Sequence, residues 1–211
     1  MKRSLTLLGV ALAILGWYAP WVTTQRRLAA LTFNALDLTE ECKFVVRAGG
    51  ANIAREWFLV PLVAAAFALA LWASHASRTP RYALTGAAAL LSLVPIPPFL
   101  SGMSLTAFLS LVIWRSAEER LSFWLSLAGL LGVALIFVLG QRIGGRKRDL
   151  VFIALALVGA LPAAWELFSR TLPALSVVYA SPALPAWGFF VALVGFALAA
   201  VGAVFPDKPL H

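Results

Sequence analysis

The sequence predicts an all-α, polytopic integral membrane protein with six transmembrane helices in three hairpins. Three observations carry that expectation. First, 62% of the 211 residues are hydrophobic and only 12% are charged, and a soluble domain needs more polar surface than this. Second, six apolar segments, 4–22, 57–75, 82–100, 121–140, 150–168 and 186–205, each come near the about 20 residues that a helix needs to cross a bilayer. They leave little room for a separate soluble part, so residues 1–211 read as one membrane domain. Third, the charges between the segments fall unequally on two sides.

The first segment begins like a signal peptide, with Met1-Lys2-Arg3 before an apolar run. A small-residue cleavage site should follow. Gly16-Trp17-Tyr18-Ala19-Pro20-Trp21 stands there instead, and its bulky rings suit a membrane interface, so the segment is kept as span 1.

With the N-terminus inside, the inner loops hold Lys2, Arg3, Arg78, Arg81, Arg142, Arg146, Lys147, Arg148 and Lys208 against Asp149 and Asp207. The outer segments hold Arg26, Arg27, Lys43, Arg47, Arg55, Arg115, Arg120 and Arg170. Asp37, Glu40, Glu41, Glu56, Glu118, Glu119 and Glu166 nearly balance them. Basic residues in short loops resist translocation. Both termini are therefore expected in the cytoplasm, in the plasma membrane. A seventh span at 104–114 is too short to cross and would turn the basic Arg142–Asp149 loop outward, so it is rejected. The Gly144-Gly145-Arg146-Lys147-Arg148 turn is expected to meet anionic lipid at the inner face, not nucleic acid.

The outer connections are read as structured. In 23–56, Leu28, Leu31, Ala35 and Leu38 recur at helical spacing, and Arg27, Asn34, Asp37 and Glu41 share the opposite face. That predicts an amphipathic interfacial helix, broken at Ala48-Gly49-Gly50-Ala51. In 101–120, Leu105, Phe108, Leu109 and Val112 predict a second one. The third connection, 171–185, has three prolines and no charge, and reads as an irregular cap. Span 5 carries Pro162 near its outer end.

Small-residue seams predict how the spans pack. Span 6 offers Gly188, Ala192, Gly195, Ala199 and Gly202; span 1 offers Gly9, Ala13 and Gly16; span 5 offers Ala156, Ala160 and Ala163. Such seams serve helix contacts within a chain, and those of spans 1 and 6 could also receive other membrane subunits.

Candidate binding residues come from the tryptophans. Trp17, Trp21, Trp57, Trp114, Trp124, Trp165 and Trp187 map to the outer side, and Trp72 alone to the inner side. An ordinary aromatic belt marks both interfaces, whereas a one-sided excess fits either an outer belt or an aromatic-lined pocket. Trp17, Trp21, Trp165 and Trp187, with Asp37 or Glu166 as polar partner, are the candidate ligand-binding set. Glu166 is the one carboxylate inside a proposed span. Arg170 follows at the spacing of a favourable helix pair, so a structural ion pair is the competing reading.

No catalytic or cofactor pattern is present. His-Glu-x-x-His and Gly-x-Ser-x-Gly are absent. Ser101-Gly102-Met103-Ser104 lacks the glycine of an intramembrane serine-protease motif, and Glu40-Glu41 with Arg47 has the wrong spacing for a prenyl-protein protease. His75 and the terminal His211 cannot pair across a haem, zinc has no ligand set, and the lone Cys42 has no disulfide partner. No cofactor, metal or enzymatic activity is expected. In size and span number, and in no residue motif, the chain looks like the substrate-capture subunits of energy-coupling-factor vitamin transporters. The expected role is a non-enzymatic, multi-pass small-molecule capture or accessory subunit of a transporter. The alternative is a structural or assembly subunit of a larger membrane complex.

Overall fold

The computed structural model describes residues 2–24, 31–49, 52–94 and 117–204. They belong to two compact units, one of residues 1–65 with 145–211, the other of residues 66–144. The described residues are mostly helical. Four helical stretches are long and apolar enough to cross a membrane: Arg55–Ala73, Trp124–Arg142, Gly145–Val178 and Trp187–Val204; Ser4–Tyr18 is apolar but shorter.

In the first unit, helix α1 (Lys2–Tyr18) would be about 25 Å long at 1.5 Å per residue, under the roughly 30 Å of a bilayer core. Pro20 stops it, because proline has no N–H to continue the ladder and pushes the residue before it out of helical geometry. Trp21-Val22-Thr23-Thr24 then suits a strand, and Pro20–Thr24 forms β1. Strand β1 is the middle of a three-stranded antiparallel sheet, with Leu31–Asn34 (β2) on one side and Ala183–Pro185 (β3) on the other. Val22 faces Phe33 across one ladder and Pro185 across the other. The sheet corrects the all-α expectation and the end of span 1 at residue 22: a hydropathy window scores Trp21 and Val22 alike in a helix or a strand.

Helix α2 (Ala35–Gly49) follows β2 without a break. Asn34 Oδ1 accepts the Asp37 N–H at 2.8 Å, and Asp37 Oδ2 accepts the Asn34 N–H at 3.1 Å. This reciprocal capping box satisfies two donors at the helix start. Ala35, Leu38, Cys42 and Val45 form the buried stripe, with Asp37 and Glu40 exposed opposite. The amphipathic helix of the first connection is thus present, but Leu31 sits on β2; Arg27 and Leu28 lie outside the described residues. A 3-10 turn at Arg55–Phe58 leads into α3 (Val60–Ala73), which continues into the second unit.

The second unit contains α4 (Arg78–Leu93), α5 (Ala117–Leu139) and a 3-10 turn at Gly140–Arg142. Arg81 Nη2 donates to the Phe137 carbonyl at 2.7 Å, one of the last carbonyls of α5, which have no partner of their own in the helix. The same guanidinium lies 4.5 Å from the Phe137 ring centre. Residues 95–100 of the expected third span, the expected helix of 101–120 up to residue 116, and the Ser101–Ser104 motif lie outside the described residues.

Back in the first unit, α6 (Gly145–Glu166) contains Pro162 and runs through a π-turn, Leu167–Thr171, into α7 (Leu172–Val178). Pro173 cannot donate to the Ser169 carbonyl, and its ring crowds that carbonyl; widening the turn relieves the clash. The expected irregular cap at 171–185 is therefore corrected to a helix, a turn and β3. Helix α7 closes on a Schellman motif, with Ser181 N–H bonded to Ser176 O and Ala180 N–H to Val177 O. Ala180 takes the left-handed position, φ 47°, where glycine is usual.

Helix α8 (Trp187–Val204) packs antiparallel on α1. A Cβ added to Gly9 would stand 2.6 Å from the Gly195 carbonyl oxygen, one on Gly188 would stand 2.6 Å from Ala19 backbone, and one on Gly202 would stand 2.7 Å from the Thr6 nitrogen. The predicted seams of spans 1 and 6 thus meet each other, backbone to backbone. The Ala156 and Ala163 seam of α6 is buried as well. Lys2 and Val204 lie at one end of the α1–α8 pair, and the sheet lies at the other.

Candidate functional site: a cavity in the cap of the first unit

The sheet, α2, α7 and the π-turn build a cap on the end of the first unit away from Lys2 and Val204. Its foundation is the 34-residue stretch Gly145–Val178. That is about 50 Å of helix at 1.5 Å per residue, against about 30 Å of hydrocarbon, so the last turns have length to spare beyond a bilayer.

The candidate residues occupy four different settings. Trp17 and Trp21 are fully buried in the first unit. The Trp17 indole donates to the Phe58 carbonyl at 2.6 Å, and the Trp21 indole donates to the Gly16 carbonyl at 2.9 Å. The second bond satisfies a carbonyl of the last turn of α1, which a helix end leaves without a partner. The Trp21 ring meets Phe58 and Phe189 edge-on. Trp165 and Trp187 are instead 71% and 62% exposed, on helical faces shared with other exposed apolar side chains, as lipid-facing positions would be. Asp37 is exposed and engaged in the capping box. The four tryptophans are thus two core residues and two outward-facing ones.

Glu166 is only 2% exposed. Its Oε1 accepts the Ala54 N–H at 2.7 Å, and its Oε2 lies 3.8 Å from Arg170 Nη1. The helix pair expected from spacing is present, and so is a backbone partner that no local pattern announced. Arg170 Nη1 also donates to the Asn52 carbonyl at 3.2 Å. Glu166 and Arg170 therefore staple the segment before α3 to the start of the π-turn.

Beside them lies a mostly buried polar layer. Cys42, Arg55 and Thr171 are buried, and Arg55 Nε contacts Glu56 Oε1 at 3.2 Å. Burial pushes the Cys42 thiol up to about 12, the Glu166 charge adding to it; the Thr171 hydroxyl pulls the other way, as does Arg55, while Glu41 raises it further. Thr171 Oγ1 is close enough to act on the thiol, yet it makes no hydrogen bond of normal geometry. This thiol stays protonated and shielded at neutral pH, which is the opposite of a reactive cysteine. Farther along, the Tyr179 hydroxyl donates to Glu41 Oε1, and the Tyr179 ring lies 5.9 Å from that of Phe33. These contacts hold α2 against the end of α7.

Beside these ties an open cavity of about 510 Å³ is lined by Val45 of α2, by Pro173, Ala174, Val177 and Val178, and by Asn52 and Arg170, with Val177 77% exposed on its rim. Its volume falls in the range of small-molecule sites, which are mostly apolar with a few placed polar groups. None of the six sequence candidates lines it, although Glu166 orients Arg170 at its edge. Arg170 was noted from the sequence only as the partner of Glu166. The proline content of 171–185 marked the wall without identifying it, and nothing local marked Val45 or Asn52. Among the described residues, no group of three or more His, Cys, Asp or Glu could hold a metal ion. No protein-family model, curated protein or solved structure matches the chain.

Proposed function

We propose that the chain is a non-enzymatic, multi-pass membrane protein that captures a small molecule in the cap of its first unit, as an accessory or capture subunit of a transporter. In this reading it crosses the plasma membrane six times with both termini in the cytoplasm, and the cap faces outward. The observation that carries the reading is the cavity of about 510 Å³ at the end of the longest helix. Its wall is mostly apolar, and Arg170, the one charged lining group among the described residues, is held in place from behind by a buried carboxylate. The orientation rests on the basic short loops. The basic turn after α5 would then meet anionic lipid at the inner face.

Native mass spectrometry of protein extracted gently from its own membrane tests the reading. A bound small molecule that is lost when Ala174→Trp fills the cavity is the expected result. A stoichiometric protein partner with no small molecule would replace capture with the second role, that of a structural or assembly subunit. Protein carrying neither would remove the support for both. Trp165→Ala, on the outward face of α6, is expected to leave capture unchanged.

A further inference from the structure

We propose that the molecule taken by this cavity is a small apolar carboxylate whose carboxylate group pairs with the free edge of Arg170. The proposal rests on the capture reading above and adds the chemical class of the ligand.

Arg170 is 48% exposed, yet it is not a loose surface cation. Its Nη1 is fixed by the Asn52 carbonyl at 3.2 Å and by Glu166 at 3.8 Å. Glu166 is itself buried and held by the Ala54 N–H. The Nε and Nη2 edge meets no acceptor among the described residues. Two parallel N–H groups in a rigid plane match the two oxygens of a carboxylate. Among the described residues, no other charged side chain lines the cavity, so there a cationic ligand would meet a positive charge and no negative one.

The apolar wall sets the length of the ligand. Pro173, Ala174, Val177 and Val178 stand three, four, seven and eight residues beyond Arg170 along the same helical stretch. At 1.5 Å per residue the wall extends about 12 Å along the helix axis from the Arg170 backbone. Val45 closes it from α2. That length suits a medium-chain acyl group or a compact aromatic acid. A two-chain lipid is too large, and with its head at Arg170 its tails would have to point away from the span.

Saturation-transfer NMR tests the assignment on the full chain in nanodiscs of zwitterionic lipid, with empty nanodiscs as the blank. The probes are octanoate, octanol and octylamine, identical in chain and different in head. Octanoate is expected to bind saturably and about tenfold more tightly than the other two, the size of one charge-assisted hydrogen-bonded pair. Arg170→Gln should remove that preference and leave weak binding of the chain. Ala174→Trp should remove binding of all three. Protection of Cys42 from maleimide confirms that each variant is folded. Equal binding of octanoate and octanol, still blocked by Ala174→Trp, would overturn the carboxylate assignment and leave capture standing. Wild-type protein that binds none of the three would also overturn it. Capture itself would fail only if the gently extracted protein carries no small molecule.

Discussion

Two helix pairs of the first unit are built on opposite terms. Helices α1 and α8 meet through Gly9, Gly188, Gly195 and Gly202, so closely that no Cβ fits between the backbones. Helix α2 and the end of α7 are tied instead by a side-chain hydrogen bond between Glu41 and Tyr179, and an open cavity of about 510 Å³ lies beside them. The difference fits what would surround each pair in the proposed membrane placement. Within a bilayer, lipid is as apolar as the side chains, so close van der Waals packing must supply the attraction and small residues permit it. In the cap, polar groups are available to tie elements together at a distance, and Glu41–Tyr179 and Glu166–Ala54 do so. A close seam leaves no room for a ligand, whereas elements tied by a few polar contacts can leave it.

The contrast can be broken most strongly at the seam. Gly195→Leu would drive a side chain into α1, and overpacking of this kind costs about 3 kcal/mol or more. Unfolding in mixed micelles is expected to show that loss, and an unchanged midpoint would contradict the close approach of the two backbones. In the cap, Glu166→Ala leaves the Ala54 N–H without its acceptor. A hydrogen bond to a charged group is worth about 1.5–3 kcal/mol, and the half-exposed Arg170 adds little to that. Glu166→Gln keeps an acceptor and should recover part of it. Maleimide labelling of Cys42 reads the difference, because loosening the cap exposes the thiol.

Smaller effects sharpen the account of how the cap is held. Ala180→Gly should stabilise the protein by about 1 kcal/mol, since it relieves the left-handed alanine that ends α7. A lower melting temperature for this variant would argue against the Schellman turn. Asn34→Ala should cost about 1 kcal/mol through the lost helix cap, and hydrogen exchange should rise first in the opening turn of α2. A pH dependence tests the burial of Cys42. The folded Cys42 thiol keeps its proton up to about 12, whereas the unfolded thiol releases it near 9.0. Proton release therefore favours the unfolded state, and stability falls as pH rises from 9 toward 12. Comparison with Cys42→Ala isolates this contribution. An identical alkaline profile in the two proteins would contradict the burial of the thiol.

Much of the helical framework was legible in sequence. The span expected at 186–205 is the helix Trp187–Val204, and the Gly/Ala rows anticipated close packing. Ala35 and Leu38 were assigned correctly to the buried side of an amphipathic helix. Leu31 was placed on the same stripe because its spacing fits, but the chain is extended there. The candidate site was less legible. The tryptophan count drew attention to the outer side, but composition cannot distinguish Trp17, whose N–H is satisfied by Phe58 O inside the unit, from Trp165, which points outward.

Local pattern alone shows where apolar helices form, where charge accumulates, and that Glu166 and Arg170 are neighbours. These are local properties, decided within one turn or one hydropathy window. Only the tertiary structure decided that Trp21 and Val22 join a sheet, that α1 and α8 spend their small residues on each other, and that a cavity opens beside Arg170. Each of these depends on a partner distant in sequence. Ala54 meets Glu166 across 112 positions, and Trp17 meets Phe58 across 41. Nothing in the local pattern names such a partner, because the free energy that selects it is gained only when both elements are already formed and packed.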